Sequence, residues 1–259
     1  MRGTSRAFLR AVHLNVRQLF VKRFVFLFGL FGCVSAFSQS IEEVLARHLE
    51  AAGGAERLKA VRASITESVI TNDVAARPCI EYAKSGQKLR IEMTFPTGTV
   101  IFCYNGTSGW KRAVMPNGEK REVVPLSERE ARDMAQDSRF TLSDSLLEYR
   151  KHMDHLKGLG HEEIAGHDAF AIEVSDEGVP PIKKYIDTKT YLEIAEDTQD
   201  SPNSLPYRVV KEDFRSVDGV TTPFHIMSYK NGRLVIDKKI GKITFLPTLD
   251  DRIFETPHD

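Results

Sequence analysis

The chain has 259 residues, with 36 basic and 36 acidic side chains, 41% hydrophobic and 9% aromatic residues. Such a length suits one domain with a sizeable core, and the balanced charge, with no basic stripe interleaved with aromatics, excludes the electrostatic footprint of a nucleic-acid binder. The acid-free leader carries Arg2, Arg6, Arg10, Arg17, Lys22 and Arg23, so the chain beyond Ser38 keeps 30 basic residues against 36 acidic ones and is mildly acidic.

Within the leader, the apolar run from Phe24 to Ala36 falls well short of the roughly 20 residues a membrane-crossing helix needs. A basic stretch, a short apolar stretch and Ala36-x-Ser38 ahead of Gln39 predict a secretory signal over residues 1–38, cleaved after Ser38 and leaving 39–259 as one exported, periplasmic domain. Leu30-Phe31-Gly32-Cys33 supplies an alternative. It has the Leu, Gly and Cys of a lipoprotein box, with a bulky Phe31 where a small residue is usual, and lipidation at Cys33 would tether the protein. An organelle transit peptide, or a true start further along the chain, also fits this leader.

Ser40-Ile41-Glu42-Glu43 has the spacing of a capping box, and Ile41, Val44, Leu45 and Leu49 follow the helical period until Gly53-Gly54. A second short helix, "AERLKAV", completes an amphipathic helical hairpin. Strand-like runs follow at "SITESVIT", "PCIEYAK", "KLRIEMTF", "TVIFCYN", "SGWKRAV" and "REVVPL". After a helical insert come "HDAFAIEVS", "KKYIDTKTYLEIAED", "PYRVVKEDFRSV", "TTPFHIMSYK" and "RLVIDKKIGKITFLP". The pairs Asn105-Gly106, Asn117-Gly118, Asp218-Gly219 and Asn231-Gly232 favour two-residue hairpin turns, so the sheet is predicted to be antiparallel and meandering. The insert opens with a second capping-box spacing, Ser127 to Glu130. It continues in "SDSLLEYRKHMDHLKG", read as a helix through Leu146, Leu147, Met153 and Leu156 that stops at Gly158 and Gly160. The fold class is α+β.

Cys79 and Cys103 are the two cysteines beyond the leader, and an exported pair invites a disulfide. Against it, a simple meander puts them two strands apart, roughly 10 Å, beyond disulfide reach. No nucleophile elbow, phosphate loop or C-x-x-C pair occurs. The densest ionisable cluster is His152, Asp154, His155, His161, Glu162, Glu163, His167 and Asp168. On a helix His152 and His155 would share a face, a spacing metals use, but imidazoles also suit a helix C-terminus, and the expectation is no stoichiometric metal. His161-Glu162 begins like H-E-x-x-H, yet the next histidine, His167, falls two positions too late. Asn105-Gly106-Thr107 is a formal glycosylation sequon already explained as a turn. Trp110, the single tryptophan, is open to two readings, a core residue or the aromatic wall of a ligand site.

Several segments together resemble the outer-membrane lipoprotein-sorting (LolA-like) superfamily: "IEEVLARHLEAAGGAERLKAVRA", "GHEEIAGHDAFAIEV", "KKYIDTKTYLEIAED", "DGVTTPFHIMSYKNG" and "ITFLPTLDDRIFETP", in that order. Asp187-x-x-Thr190-Tyr191-Leu192 and Asp250-Asp251-x-x-Phe254-x-x-Pro257 are the most specific pieces. The resemblance implies a strongly curved antiparallel sheet, an incomplete β-barrel, with helices covering its concave face and enclosing an apolar cavity. It implies a non-enzymatic, cofactor-free carrier of lipid or acylated lipoprotein, working with donor and acceptor partners at membranes. No gating arginine of that family can be placed on a matching motif here. The alternatives are an envelope enzyme using the His152 to Asp168 cluster and an interaction module whose cavity is filled by its own side chains. For the carrier, alternation in "KLRIEMTF" sends Leu89, Ile91, Met93 and Phe95 to one face; these four and Trp110 are the expected apolar ligand contacts, in a monomer.

Overall fold

The computed structural model describes residues 39–140, 145–176, 180–199 and 206–257; the predicted signal segment lies outside them. Helix α1 (Ile41–Ala51) starts where Ser40 Oγ accepts from the Glu43 amide at 3.2 Å. The Glu43 carboxylate is engaged by Gln39 and Arg47 instead, so the capping interaction recorded at Ser40 is the side-chain half. Val44, Leu45 and Leu49 are buried as their period predicts. So is His48, whose Nδ1 donates to the Tyr191 carbonyl at 2.8 Å.

Gly53 adopts φ 123°, and a Cβ there would stand 2.4 Å from the Gly219 carbonyl oxygen. Only glycine lets the break between α1 and α2 (Ala55–Ala60) press onto the Asp218-Gly219 turn. Arg57 clamps that approach by donating to both the Gly53 and Gly219 carbonyls.

The strands are β1 (Ala63–Thr71), β2 (Ala76–Lys84), β3 (Lys88–Phe95), β4 (Gly98–Tyr104), β5 (Gly109–Val114) and β6 (Val124–Pro125), then β7 (Leu156–Ile164), β8 (His167–Val174), β9 (Ile182–Asp187), β10 (Glu193–Thr198), β11 (Tyr207–Val217), β12 (Val220–Lys230) and β13 (Arg233–Leu246). They form one antiparallel sheet in the order β6-β5-β4-β3-β2-β1-β13-β12-β11-β10-β9-β8-β7. Two meanders are thus joined at the centre, where β1 pairs with β13. The helical insert, with α3 (Glu128–Phe140) and α4 (Ser145–Glu148), connects β6 at one edge to β7 at the other. The sheet is a curved, incomplete barrel, and the helices lie on its concave face.

Four sequence expectations are corrected. "SDSLLEYRKHMDHLKG" is not one helix: of its described part, only Ser145–Glu148 is α-helical, followed by 3-10 turns at Tyr149–Lys151 and Met153–His155. Gly158 and Gly160 do not stop a helix but sit inside β7, where the register with β8 shifts. "KKYIDTKTYLEIAED" is two strands, split where Asp187 Oδ1 accepts from the Lys189 and Thr190 amides and Tyr191 takes φ 59°. Finally, Asp218-Gly219 and Asn231-Gly232 do make two-residue turns with both φ positive, whereas Asn105-Gly106 and Asn117-Gly118 close longer loops.

Alternation and register separate the two faces. On the concave one, α1, α2 and α4 pack with Leu156, Phe170, Ile172, Ile186 and Val220, while α3 packs through Met134 on Ala83, Leu89 and Tyr104. On the convex one, the C-terminal segment covers β4 and β5: Phe254 is fully buried against Ile101, Cys103 and Trp110. Strand β4 is therefore covered on both faces, as its doubly apolar sequence demands. Cys79 and Cys103 lie on β2 and β4 with β3 between them, and both thiols are free and buried. Burial pushes each thiol up to about 12.

Candidate ligand-binding face

Strands β2, β1, β13 and β12 carry the middle of the concave face, between the cluster under α3 and the cluster under α1, α2 and α4. Cross-strand partners fix which residues point there: Cys79 opposite Met93, Met93 opposite Val100, and Ile91 opposite Phe102. Ser64 faces Phe245, Thr66 faces Ile243, and Ser68 faces Ile240. Met93, Val100, Phe102, Ile243, Phe245 and Ile226 are each only partly buried, so this face keeps apolar side chains that its own helices do not fully cover. Ser64, Thr66 and Ser68 of β1 lie at the centre of this face, and short side chains at the centre of a curved sheet leave depth above them. Ser64, Thr66 and Ser68 are all buried.

The same face is not uniformly apolar. Lys238 Nζ reaches Glu81 at 2.5 Å, both largely buried. On α3, Asp137 stays in contact with solvent but is ringed by protein. Loss of surrounding water, then the nearby Glu81 and Asp133 charges, push its carboxyl up to about 6 against the pull of Lys238. Further along, Lys184 is 2% exposed and donates to Glu193 at 3.2 Å and Glu196 at 2.8 Å, while Lys211 also bonds Glu193. Burial alone would lower the Lys184 ammonium, but the two carboxylates outweigh it and hold it charged well above the usual lysine range. Two cations and two anions neutralise each other, so this quartet fixes the pairing of β9, β10 and β11 without presenting net charge.

Of the residues singled out in the sequence, Leu89 (1% exposed) and Ile91 lie under α3. Met93 sits further out on the same face, and Phe95 ends it beneath the Arg77 guanidinium, 4.9 Å from the ring. Trp110 does not join them. It pairs with Cys103 on the convex face, 3% exposed, with Nε1 donating to the Phe254 carbonyl at 3.3 Å. Its alternation relative to β4 was invisible without the β4–β5 register. The sequence also gave no sign of an apolar groove of about 910 Å³ on the convex face at the other end of the sheet, lined by Ile164, Pro181, Val210, Met227 and Tyr229. Arg208 and Asp197, bonded bidentately at 2.6 Å, form its polar side.

The ionisable cluster from His152 to Asp168 disperses. His161 turns to Asp168 at 3.3 Å and stands edge-on to Phe170, while Glu162 bonds Lys183. His167 bonds Asp187 at 3.0 Å. Burial alone would raise the Asp187 carboxyl, but the Thr190 amide and hydroxyl, His167 and the Lys189 amide hold it below the usual range. Asp187 thus explains the Asp187-x-x-Thr190-Tyr191 motif as a turn device: it sets Tyr191, whose carbonyl and hydroxyl receive His48 and Arg47 of α1. Among the described residues, His152, Asp154 and His155 are the group of three that keeps its ligand atoms within 4.8 Å of one another.

No protein-family model and no curated protein matches the chain. Solved structures do. The chain is similar to a domain described as an outer-membrane lipoprotein-sorting protein from Vibrio parahaemolyticus, with a TM-score of 0.53 at 13% identity over 82% of this chain and 95% of that one. A LolA-superfamily protein from Nitrosomonas europaea gives 0.50 at 14% over 81% and 96%, and a DUF1329-family protein from Desulfovibrio piger gives 0.51 at 15% over 82% and 97%. At these identities the likeness is one of fold: the chain has the LolA-like architecture over nearly the whole length of those structures. Among the described residues, no helix is long and apolar enough to cross a membrane.

Proposed function

We propose that the protein is an exported, non-enzymatic carrier that binds an acyl chain, of a lipid or an acylated lipoprotein, on the concave face of its sheet. The observation that supports this most is the strip of partly buried apolar side chains between the two helix-covered clusters, over a floor of serine and threonine. An acyl chain gains about 0.8 kcal/mol for each methylene taken out of water, so an apolar surface of this kind binds it without catalytic groups or a cofactor. Met93, Val100, Phe102 and Phe95 are the contacts, with Leu89 and Ile91 supporting them beneath α3. Mixed Ser, Thr and Glu81–Lys238 surroundings suit the polar head at which such a chain begins. Residues 1–38 act as a cleaved signal, Gln39 begins the mature monomer, and the compartment is the periplasm.

The convex groove supports a second place for the same ligand, and one pair of variants separates the two. Met93→Asp is expected to leave the circular-dichroism spectrum intact and abolish uptake of a fluorescent fatty-acid probe, with Met227→Asp binding as the parent does. Loss through Met227→Asp alone would move the site to the convex groove. Unchanged uptake in both would remove both faces from the account.

A further inference from the structure

We infer that His152, Asp154 and His155 form a binding site for one divalent metal ion, best suited to zinc, held in orientation by Asp176. The three residues offer one nitrogen or oxygen each, all within 4.8 Å of one another. They converge because the chain here is not the helix their spacing suggests. His152 breaks the two 3-10 turns with φ −132° and ψ 53°, which swings its ring to 5.6 Å from that of His155 and brackets Asp154 between them.

The feature that sets this trio apart from an ordinary exposed cluster is the other side of His155. Its Nδ1 lies 2.8 Å from Asp176 Oδ1, and Tyr149 Oη donates to Asp176 Oδ2 at 2.7 Å. A carboxylate accepts, so Nδ1 carries a proton toward Asp176, and the ring's other nitrogen, Nε2, lies 3.9 Å from Asp154 Oδ2. A carboxylate that holds the far nitrogen of an imidazole fixes tautomer and ring orientation and raises ligand basicity, which is how metal-binding histidines are usually supported. His161 and His167 instead meet the carboxylates of Asp168 and Asp187 through Nδ1.

Two imidazoles and a carboxylate are a borderline-to-hard donor set that suits zinc, at about 2.0–2.2 Å per bond. Tetrahedral bonds of that length put donors roughly 3.3 Å apart. Side-chain rotation closes the difference, since His152 and Asp154 are exposed. The fourth position is left to water or an outside ligand. Because the His155 carbonyl also receives the Ser175 amide at 3.0 Å, a bound ion would pin the connection between α4 and β7 to the end of β8.

The test uses full-length protein prepared without a metal-affinity column and stripped with chelator, titrated with zinc by calorimetry and with cobalt by absorption. One zinc per chain is expected, with cobalt visible bands of a tetrahedral nitrogen–oxygen site. His152→Ala and His155→Ala, checked for folding by circular dichroism, should abolish both signals. Asp176→Asn should keep the stoichiometry and weaken affinity by roughly ten- to a hundredfold. His161→Ala should change nothing. Absence of saturable one-to-one binding in the parent, or binding that survives in folded His152→Ala protein, would overturn the site.

Discussion

Replacing Phe254 by alanine tests how the C-terminal segment is held to the convex face. The phenyl ring is fully buried between Ile101, Cys103 and Trp110. Deleting a buried phenyl typically costs about 3–5 kcal/mol, combining lost transfer energy with the cavity left behind. The polar ties of this segment cannot make up such a loss. Asp251 reaches Lys84 at 2.8 Å and Lys88 at 2.6 Å but is half exposed, and exposed pairs are worth about 1 kcal/mol or less. Arg90 adds one bond to the Ile253 carbonyl at 2.9 Å. Phe254→Ala should therefore lower the unfolding free energy in urea by about 3 kcal/mol or more. The single tryptophan makes the event visible in the folded state as well. Trp110 donates to the Phe254 carbonyl and owes its burial to this segment, so its emission should shift to the red before any global unfolding. An unchanged native emission with a loss under about 1 kcal/mol would refute the claim that Phe254 seals this face.

Two further outcomes follow from the titrating groups. Asp137 has a folded value near 6, above its unfolded one, so the native state holds the proton more tightly between about pH 4 and 6. Stability contributed by the neutral form is present at acid pH and lost as pH rises through that window. Asp137→Asn should then match the parent at pH 4 and exceed it at pH 7.5 by about 1 kcal/mol once solvent contact is discounted, and a lower melting temperature than the parent at pH 7.5 would contradict the assignment. Cys79 and Cys103 should resist an aromatic disulfide reagent at pH 8 in the folded protein and both react in denaturant, since thiolate is scarce when the thiol titrates near 12. Rapid labelling, or two thiols that stay silent after unfolding, would argue against free buried sulfhydryls.

Much of the architecture was legible because single elements obeyed one rule each. Strand β3 alternates cleanly, β4 is apolar on both sides, and Ser40 begins α1 with the side-chain bond its spacing calls for. Strand β7 was not legible. Its glycines and charges read as a helix stop, and it is an edge strand with most positions exposed, so burial left no period-2 imprint on it. Its hairpin to β8 turns through Ala165-Gly166, both at positive φ, where alanine gives no warning. The candidate site was half legible. Local alternation grouped Leu89, Ile91, Met93 and Phe95 correctly, while the side taken by Trp110 depends on pairing between strands, and the polar floor of β1 depends on β1 meeting β13 from the far end of the chain.

The proposal that this fold carries acyl chains is tested most directly by mass spectrometry of an organic extract from protein purified from the cell envelope in the absence of detergent. Co-purified fatty acid or lipid approaching one molecule per chain, retained by the parent and lost in folded Met93→Asp protein, is the expected result. A lipid-free extract from protein that also fails to take up added fatty acid would contradict it.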